Sequence, residues 1–217
     1  MNNTLTKENF QRYISSIIKQ DISSPSLLKK ADNIYYLVKE EDSLFWSFYI
    51  LKYGLDQYLM NKGKSFDIVQ QIKIKAIESM KSHTDLMKQY KLKKTEIEQN
   101  LLYDTHISKS SFFYLCICYD INVVIIEDRV YYECIGNDTV GSKIYMLKKQ
   151  NHHYEIYKKL EQDYQDKYYK ISNVSKPILG IGSYKVNDLQ IMCKKLKIDL
   201  PGDAKKKEMY EEIIKAI

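Results

Sequence analysis

Residues 39–54, KEEDSLFWSFYILKYG, hold the transition that decides the fold: Glu40, Glu41 and Asp42 give way at once to the most aromatic, least charged stretch of the chain. That pattern predicts a buried helix. Asp42 or Ser43 supplies the N-cap, and Glu40 and Glu41 sit favourably beside the positive end of the helix dipole. Leu44, Phe45, Phe48, Ile50 and Leu51 make a broad apolar face before Gly54 ends the helix. The start of such a helix is also a chemical position, because its unpaired amides and dipole lower a thiol's pKa and hold an oxyanion. At the candidate places this chain carries hydroxyls, Ser43 and Ser47.

Immediately upstream, Asn33 to Val38 (NIYYLV) is short, aromatic and β-branched, which predicts a strand entering the core. Farther upstream, Phe10, Tyr13, Ile14, Ile17 and Ile18 predict a helix over Thr6–Lys19, broken by the Ser-Ser-Pro-Ser stretch at 23–26. Downstream, Phe66 to Tyr90 runs without Gly or Pro and reads as one long amphipathic helix, followed by helices over Lys94–Tyr103 and Ser108–Tyr119. The run Asn122–Glu127 (NVVIIE) predicts a buried strand. Val130–Ile135, Ser142–Leu147 and His153–Tyr157 follow with turn residues between them, predicting an antiparallel β-meander. Helices first and strands later make an α+β domain. Residues 158–170 are charged and read as helical, and Ser172–Gly182, with Pro177, Gly180 and Gly182, reads as a connection. A second pair of helices is expected from Ser183, as a cap, to Ile217, turning at Leu200-Pro201-Gly202. The division that results is 1–32 for the N-terminal helix, 33–160 for the α+β domain, 161–182 for the connection and 183–217 for a small helical module with its own apolar core.

At 217 residues and 44% hydrophobic content the chain has material for one ordinary domain and an appendage, which excludes disorder throughout. Lys+Arg 34 against Asp+Glu 28, a net charge of +6, is compatible with polyanion binding and far from a histone-like excess. No apolar run approaches the ~20 residues of a membrane span, so no membrane partner is expected. The four cysteines form no CxxC pair and the opening MNNTLTKENF is polar, which predicts reduced thiols in an intracellular setting. Cys116 and Cys118 are two apart, and His83, His106, His152 and His153 show no ligand spacing, so neither metal nor other cofactor is predicted. Gly180-Ile181-Gly182 lacks the third glycine and Lys-Ser/Thr ending of a phosphate loop.

The order of parts resembles the papain-like ovarian-tumour (OTU) family of deubiquitinating cysteine proteases. A nucleophile position starts a central helix, and a helix–strand unit leads to a late strand opening on histidine before an aromatic residue. That family's Asp-Gly-Asn-Cys-Leu-Phe stands in register with Glu40-Glu41-Asp42-Ser43-Leu44-Phe45, with Leu-Phe kept and cysteine replaced. A second register, similar to Leu-Phe-Trp-Cys-Phe in proteins of large double-stranded-DNA viruses, places the cysteine at Ser47 instead. The resemblance covers roughly residues 33–158. It implies a papain-like helical subdomain with the β-meander, and a catalytic set of Ser43 or Ser47 with His153 as base. Glu155 or Asn151 would orient the base, since an imidazole needs a partner to hold its tautomer. The implied partner is ubiquitin or a ubiquitin-like protein. Serine at the nucleophile position implies either a naturally inactive pseudoenzyme or a Cys-to-Ser substitution, with cysteine isopeptidase activity only once cysteine stands at Ser43 or Ser47.

The C-terminal stretch resembles the SAP family of small helix-turn-helix-like DNA-binding modules. The resemblance rests on Tyr184-Lys-Val-Asn-Asp-Leu189, Cys193-Lys-Lys-Leu-Lys-Ile198, Gly202 and Lys206-Lys-Glu-Met-Tyr-Glu-Glu-Ile213. Lys197 stands where the family has glycine, and Pro201 is an added turn residue. The implied ligand is duplex DNA, contacted by Lys185, Lys194, Lys195, Lys197, Lys205, Lys206 and Lys207, where charge and free helix-start amides coincide. Together the two resemblances imply an isopeptidase-like domain tethered to nucleic acid, in host cytoplasm, viral factory or virion. The alternative is a non-enzymatic viral structural or DNA-binding protein.

Overall fold

The most apolar strand takes the centre of the sheet. Asn122–Glu127 (β2) is buried at every residue, and a strand with two apolar faces needs a neighbour on each edge and a layer on each side. In the computed structural model, which describes residues 34–61, 65–136, 143–201 and 204–217, it has both. The chain divides into two compact units, Met1–Ile34 and Tyr35–Ile217, and the apolar core of the described residues lies in the second. The helix expected over Thr6–Lys19 lies outside the described residues.

Along this unit come β1 (Ile34–Val38), then helices α1 (Ser43–Tyr53), α2 (Leu55–Asn61), α3 (Ser65–Glu78), α4 (Thr84–Gln89), α5 (Lys94–Tyr103) and α6 (Lys109–Cys118). Strands β2, β3 (Val130–Cys134), β4 (Ile144–Gln150) and β5 (His153–Tyr157) follow. The rest is a one-turn helix α7 (Tyr164–Lys167), a two-residue strand β6 (Tyr169–Lys170), and helices α8 (Val186–Lys195) and α9 (Lys206–Ala216). The sheet order is β1-β5-β4-β2-β3-β6.

This is an α+β fold with a mixed sheet, which corrects the antiparallel meander. The β2–β3 and β4–β5 pairs are antiparallel hairpins, as expected, but β4 lies on the far side of β2 and runs parallel to it, in register Val123↔Tyr145 and Ile125↔Leu147. β6 joins β3 in parallel. A meander would leave β2 at the edge of these strands, whereas the observed order covers both edges of the fully buried strand. The period-two alternation sorts side chains into two layers. Val123, Ile125, Tyr132, Leu147, Tyr154 and Ile156 join the main core with α1 and α6. Val124, Ile126, Tyr131 and Met146 join Tyr164 in a smaller cluster on the other face.

Helix α1 has the predicted bounds. Asp42 is its N-cap, accepting from Phe45 N at 3.1 Å, and Gly54 closes it at φ +89°, in the region glycine favours. Its residues from Ser43 to Leu51 are all buried, between α2, α6 and β5. Three other expectations fail locally. The long helix over 66–90 breaks into α3, a 3-10 segment Ser79–His83, and α4. Hydroxyls here bond back to the chain, Ser79 to Ala76 O at 2.8 Å, Ser82 to Ser79 O at 2.6 Å and Thr84 to Lys81 O at 3.0 Å, and such bonds compete with the helical ladder. Residues 158–170 form only α7 and β6, because Tyr164 turns inward to cover the smaller cluster. Ser183 does not cap α8, which starts at Val186 with the Asp188 carboxylate accepting from Lys185 N at 2.8 Å.

The expectation of a separate apolar core for residues 183–217 is also not met. Leu189, Met192, Cys193 and Leu196 of the α8 region and Met209 and Ile213 of α9 belong to the same core as α1 and the sheet. Arg129, in the β2–β3 turn, donates from Nη1 to Leu196 O at 2.6 Å and Lys197 O at 3.2 Å, stitching the helix end to the sheet.

Candidate functional site

At one end of the sheet the starts of two helices meet. Asp42 joins them: Oδ1 caps α1, and Oδ2 accepts from Ile107 N at 3.0 Å, just before α6. The loop into α6 is built around Asn100. Its Nδ2 donates to Asp104 Oδ2 at 2.7 Å and His106 O at 3.0 Å, while its Oδ1 accepts from Ser108 N at 2.8 Å and Ser111 Oγ at 2.5 Å. Ser108 then caps α6 through Ser111 N at 3.1 Å. Burial pushes the Asp42 carboxyl up, against the two backbone amides and the nearby Lys73 ammonium. Lys73 itself is only 3% exposed and donates to Asp104 O at 3.0 Å. Burial pushes its ammonium down, against Asp42 and Asp104.

The β4–β5 turn reaches the same end. Gln150 pairs with His153, leaving Asn151 and His152 as a two-residue turn with Asn151 left-handed at φ +54°. Ser43 Oγ donates to the His152 carbonyl at 3.4 Å, so the structure brings the helix start and the double-histidine turn into contact. The contact runs through backbone. His153 Nδ1 is buried and has no hydrogen-bond partner among the described residues. Tyr154 and Ile156 face the main core, so alternation along β5 sends His153, Glu155 and Tyr157 to the other face. Glu155 accepts from Tyr157 Oη at 2.9 Å rather than orienting His153 through Nδ1. Ser47 lies one turn inside α1, 0% exposed, and its Oγ also lacks a partner among the described residues. Ser43 is 3% exposed.

Sequence reasoning missed a second network beside this one. Glu127, at the end of β2 and 8% exposed, accepts from Lys109 Nζ at 2.6 Å and from Tyr154 Oη at 2.5 Å. Lys109 also donates to Tyr132 Oη at 3.0 Å and stands 4.2 Å over that ring's centroid. Burial alone would raise the Glu127 carboxyl, but Lys109 and the Tyr154 hydroxyl hold it below its ordinary value. The only trace in the sequence is a charge closing an apolar strand.

Of the C-terminal lysines, Lys185, Lys194, Lys195, Lys197, Lys205 and Lys207 are exposed and Lys206 is half-buried. Lys195 reaches Gln165 O at 3.4 Å, and Lys207 stands 3.7 Å from Glu211. Lys197 occupies a left-handed position, φ +54°, after the end of α8, where Ile198 N bonds back to Cys193 O at 2.9 Å. Glycine is the residue this backbone favours, which is the physical content of the departure at Lys197.

Cys116, Cys134 and Cys193 are buried, and Cys118 is partly so, with Sγ 3.8 Å from His83 Nδ1. No helix among the described residues is long and apolar enough to cross a membrane. Comparison of the chain with protein-family models, with curated proteins and with solved structures finds no match.

Proposed function

We propose that residues 33–160 form an OTU-like domain that is catalytically silent as it stands and holds a ubiquitin or ubiquitin-like protein, with the C-terminal helices giving it an affinity for duplex DNA. One contact carries the reading: Ser43 Oγ, at the start of the central buried helix, lies 3.4 Å from the His152 carbonyl, one residue before His153. The contact supports reading the helix start and the double-histidine turn as adjoining segments, with the His153 ring itself turned to the other face of β5. It also accounts for silence. A serine is nucleophilic only when a neighbouring base takes its proton, and this proton is directed at a carbonyl, which is no base. The exposed lysines of α8, α9 and their flanks support the nucleic-acid half.

The test restores the thiol. Ser43→Cys and Ser47→Cys are each treated with a ubiquitin-tail electrophile, and the parent chain is titrated with ubiquitin. The reading expects binding by the parent, labelling of one variant, and loss of that labelling on adding His153→Ala. Absence of both labelling and binding in a folded protein overturns it and leaves the non-enzymatic structural or DNA-binding role. For the DNA half, four phosphate contacts correspond to a log–log salt slope of about −3.6, roughly a hundredfold loss of affinity between 50 and 200 mM salt. Lys205, Lys206 and Lys207 changed together to Ala flatten that slope by up to ~2.7. Substitutions test this half cleanly, because α8 and α9 contribute to the main core and must stay in place.

A further inference from the structure

The densest positive charge lies away from the C-terminal helices. Residues 75–94 carry six lysines against two acidic residues, a net of +4, whereas residues 183–217 carry eight lysines against six acidic residues, a net of +2. Within that segment, around the 3-10 turn and α4, opens a groove of about 410 Å³. Its floor is apolar: Met80, Met87 and Leu92. Its rim is Lys81, Lys88 and Lys94, with Thr84 between. Met80 in the 3-10 turn and Met87 in α4 are both buried, and Lys81, Thr84 and Lys88 beside them are exposed. The counter-charges are weak. Lys88 stands 3.4 Å from Asp85, both at the surface, and Lys94 3.5 Å from the half-buried Glu98, surface pairs that contribute little.

We infer that this groove is a binding site for single-stranded nucleic acid, with phosphates on the three rim lysines and an unstacked base on the methionine floor. Charge complementarity selects an anion. The apolar floor selects among anions: its volume falls at the low end of the ~300–1,000 Å³ of small-ligand sites, and methionine sulfur packs well on an aromatic face. A duplex keeps its bases stacked and cannot reach the floor, whereas a single strand presents a π-face to it. The inference is independent of the proposed function, because none of its residues belongs to the Ser43–His153 region or to α8 and α9.

The experiment measures fluorescence anisotropy of the full chain with a short oligothymidylate and with a duplex of equal length, across a salt series. The triple variant K81A/K88A/K94A and the single variant Thr84→Glu change exposed side chains only, and circular dichroism checks that they fold. With ~0.7 of slope per single-strand phosphate, the triple variant's slope is shallower by about 2 for oligothymidylate. The parent therefore loses roughly twentyfold more affinity than the variant between 50 and 200 mM salt. Thr84→Glu weakens the same binding, and duplex binding is unchanged in both. Lys205, Lys206 and Lys207 changed to Ala do the reverse, so failure of the C-terminal reading is distinguishable from failure of this one. Oligothymidylate binding that both groove variants leave intact overturns the inference. So does competition by polyglutamate as effective as that by oligothymidylate, which would make the groove a dock for an acidic peptide.

Discussion

Removing the Asp42 carboxylate tests how the sheet end is held together. Its two oxygens do separate jobs, Oδ1 capping α1 through Phe45 N and Oδ2 holding Ile107 N ahead of α6. Asp42→Ala loses the cap, about 1 kcal/mol, and leaves the Ile107 amide unpaired beside a buried residue, about 1–3 kcal/mol more. It also withdraws a negative charge from the buried Lys73 ammonium, which burial already disfavours. The expected total is about 2–4 kcal/mol. Asp42→Ser keeps a capping oxygen but has none for Ile107, so it recovers roughly 1 kcal/mol of that loss. Urea unfolding followed through Trp46, the chain's single tryptophan and a buried residue of α1, reads both. At a slope of about 2 kcal/mol per molar, Asp42→Ala moves the midpoint down by roughly 1–2 M, and Asp42→Ser by about 0.5 M less. An Asp42→Ala midpoint within 0.2 M of the parent, or a serine variant no better than alanine, would refute the two-job account.

Lys197→Gly relieves a left-handed backbone at φ +54° and is expected to stabilise by about 1 kcal/mol, seen as a raised thermal midpoint. Lys109→Met strands the buried Glu127 carboxylate and is expected to cost about 3 kcal/mol at neutral pH. Because the Glu127 pKa is lowered on folding, the pair's stabilisation is fully present above the ordinary glutamate pKa and fades as pH falls through the lower folded value. The acid limb of the parent's stability–pH profile should therefore flatten in Lys109→Met, and an unchanged limb would count against the pairing. Ser47→Ala removes a buried hydroxyl with no partner among the described residues, so chemical denaturation should find it neutral or stabilised by up to about 1 kcal/mol. A loss above 1 kcal/mol would reveal a bond for Ser47.

The sequence by itself determined the elements whose signals are local. Asp42 and Gly54 bound α1 because a capping carboxylate and a left-handed glycine act within a few residues of where they stand. The α5 and α6 helices and strands β2 and β5 lie where periodicity puts them. What the tertiary structure decided is what lies far apart in the chain. Alternation says which face of β4 is apolar but not which edge it pairs with. The fully buried β2 settles that by needing cover on both sides. The side to which His153 turns depends on which face of β5 meets α1, and the proton of Ser43 goes to a backbone carbonyl that no side-chain pattern encodes. Asp42 with Ile107 and Glu127 with Lys109 are pairs chosen by burial: an acid enclosed by packing must find a donor there, and the donor can come from any distance along the chain. The helices α8 and α9 have their own amphipathic stripes and read as a separate module. Their buried residues Leu189, Leu196 and Ile213 are nonetheless continuous with the main core, a contact between distant segments that the local stripes do not encode.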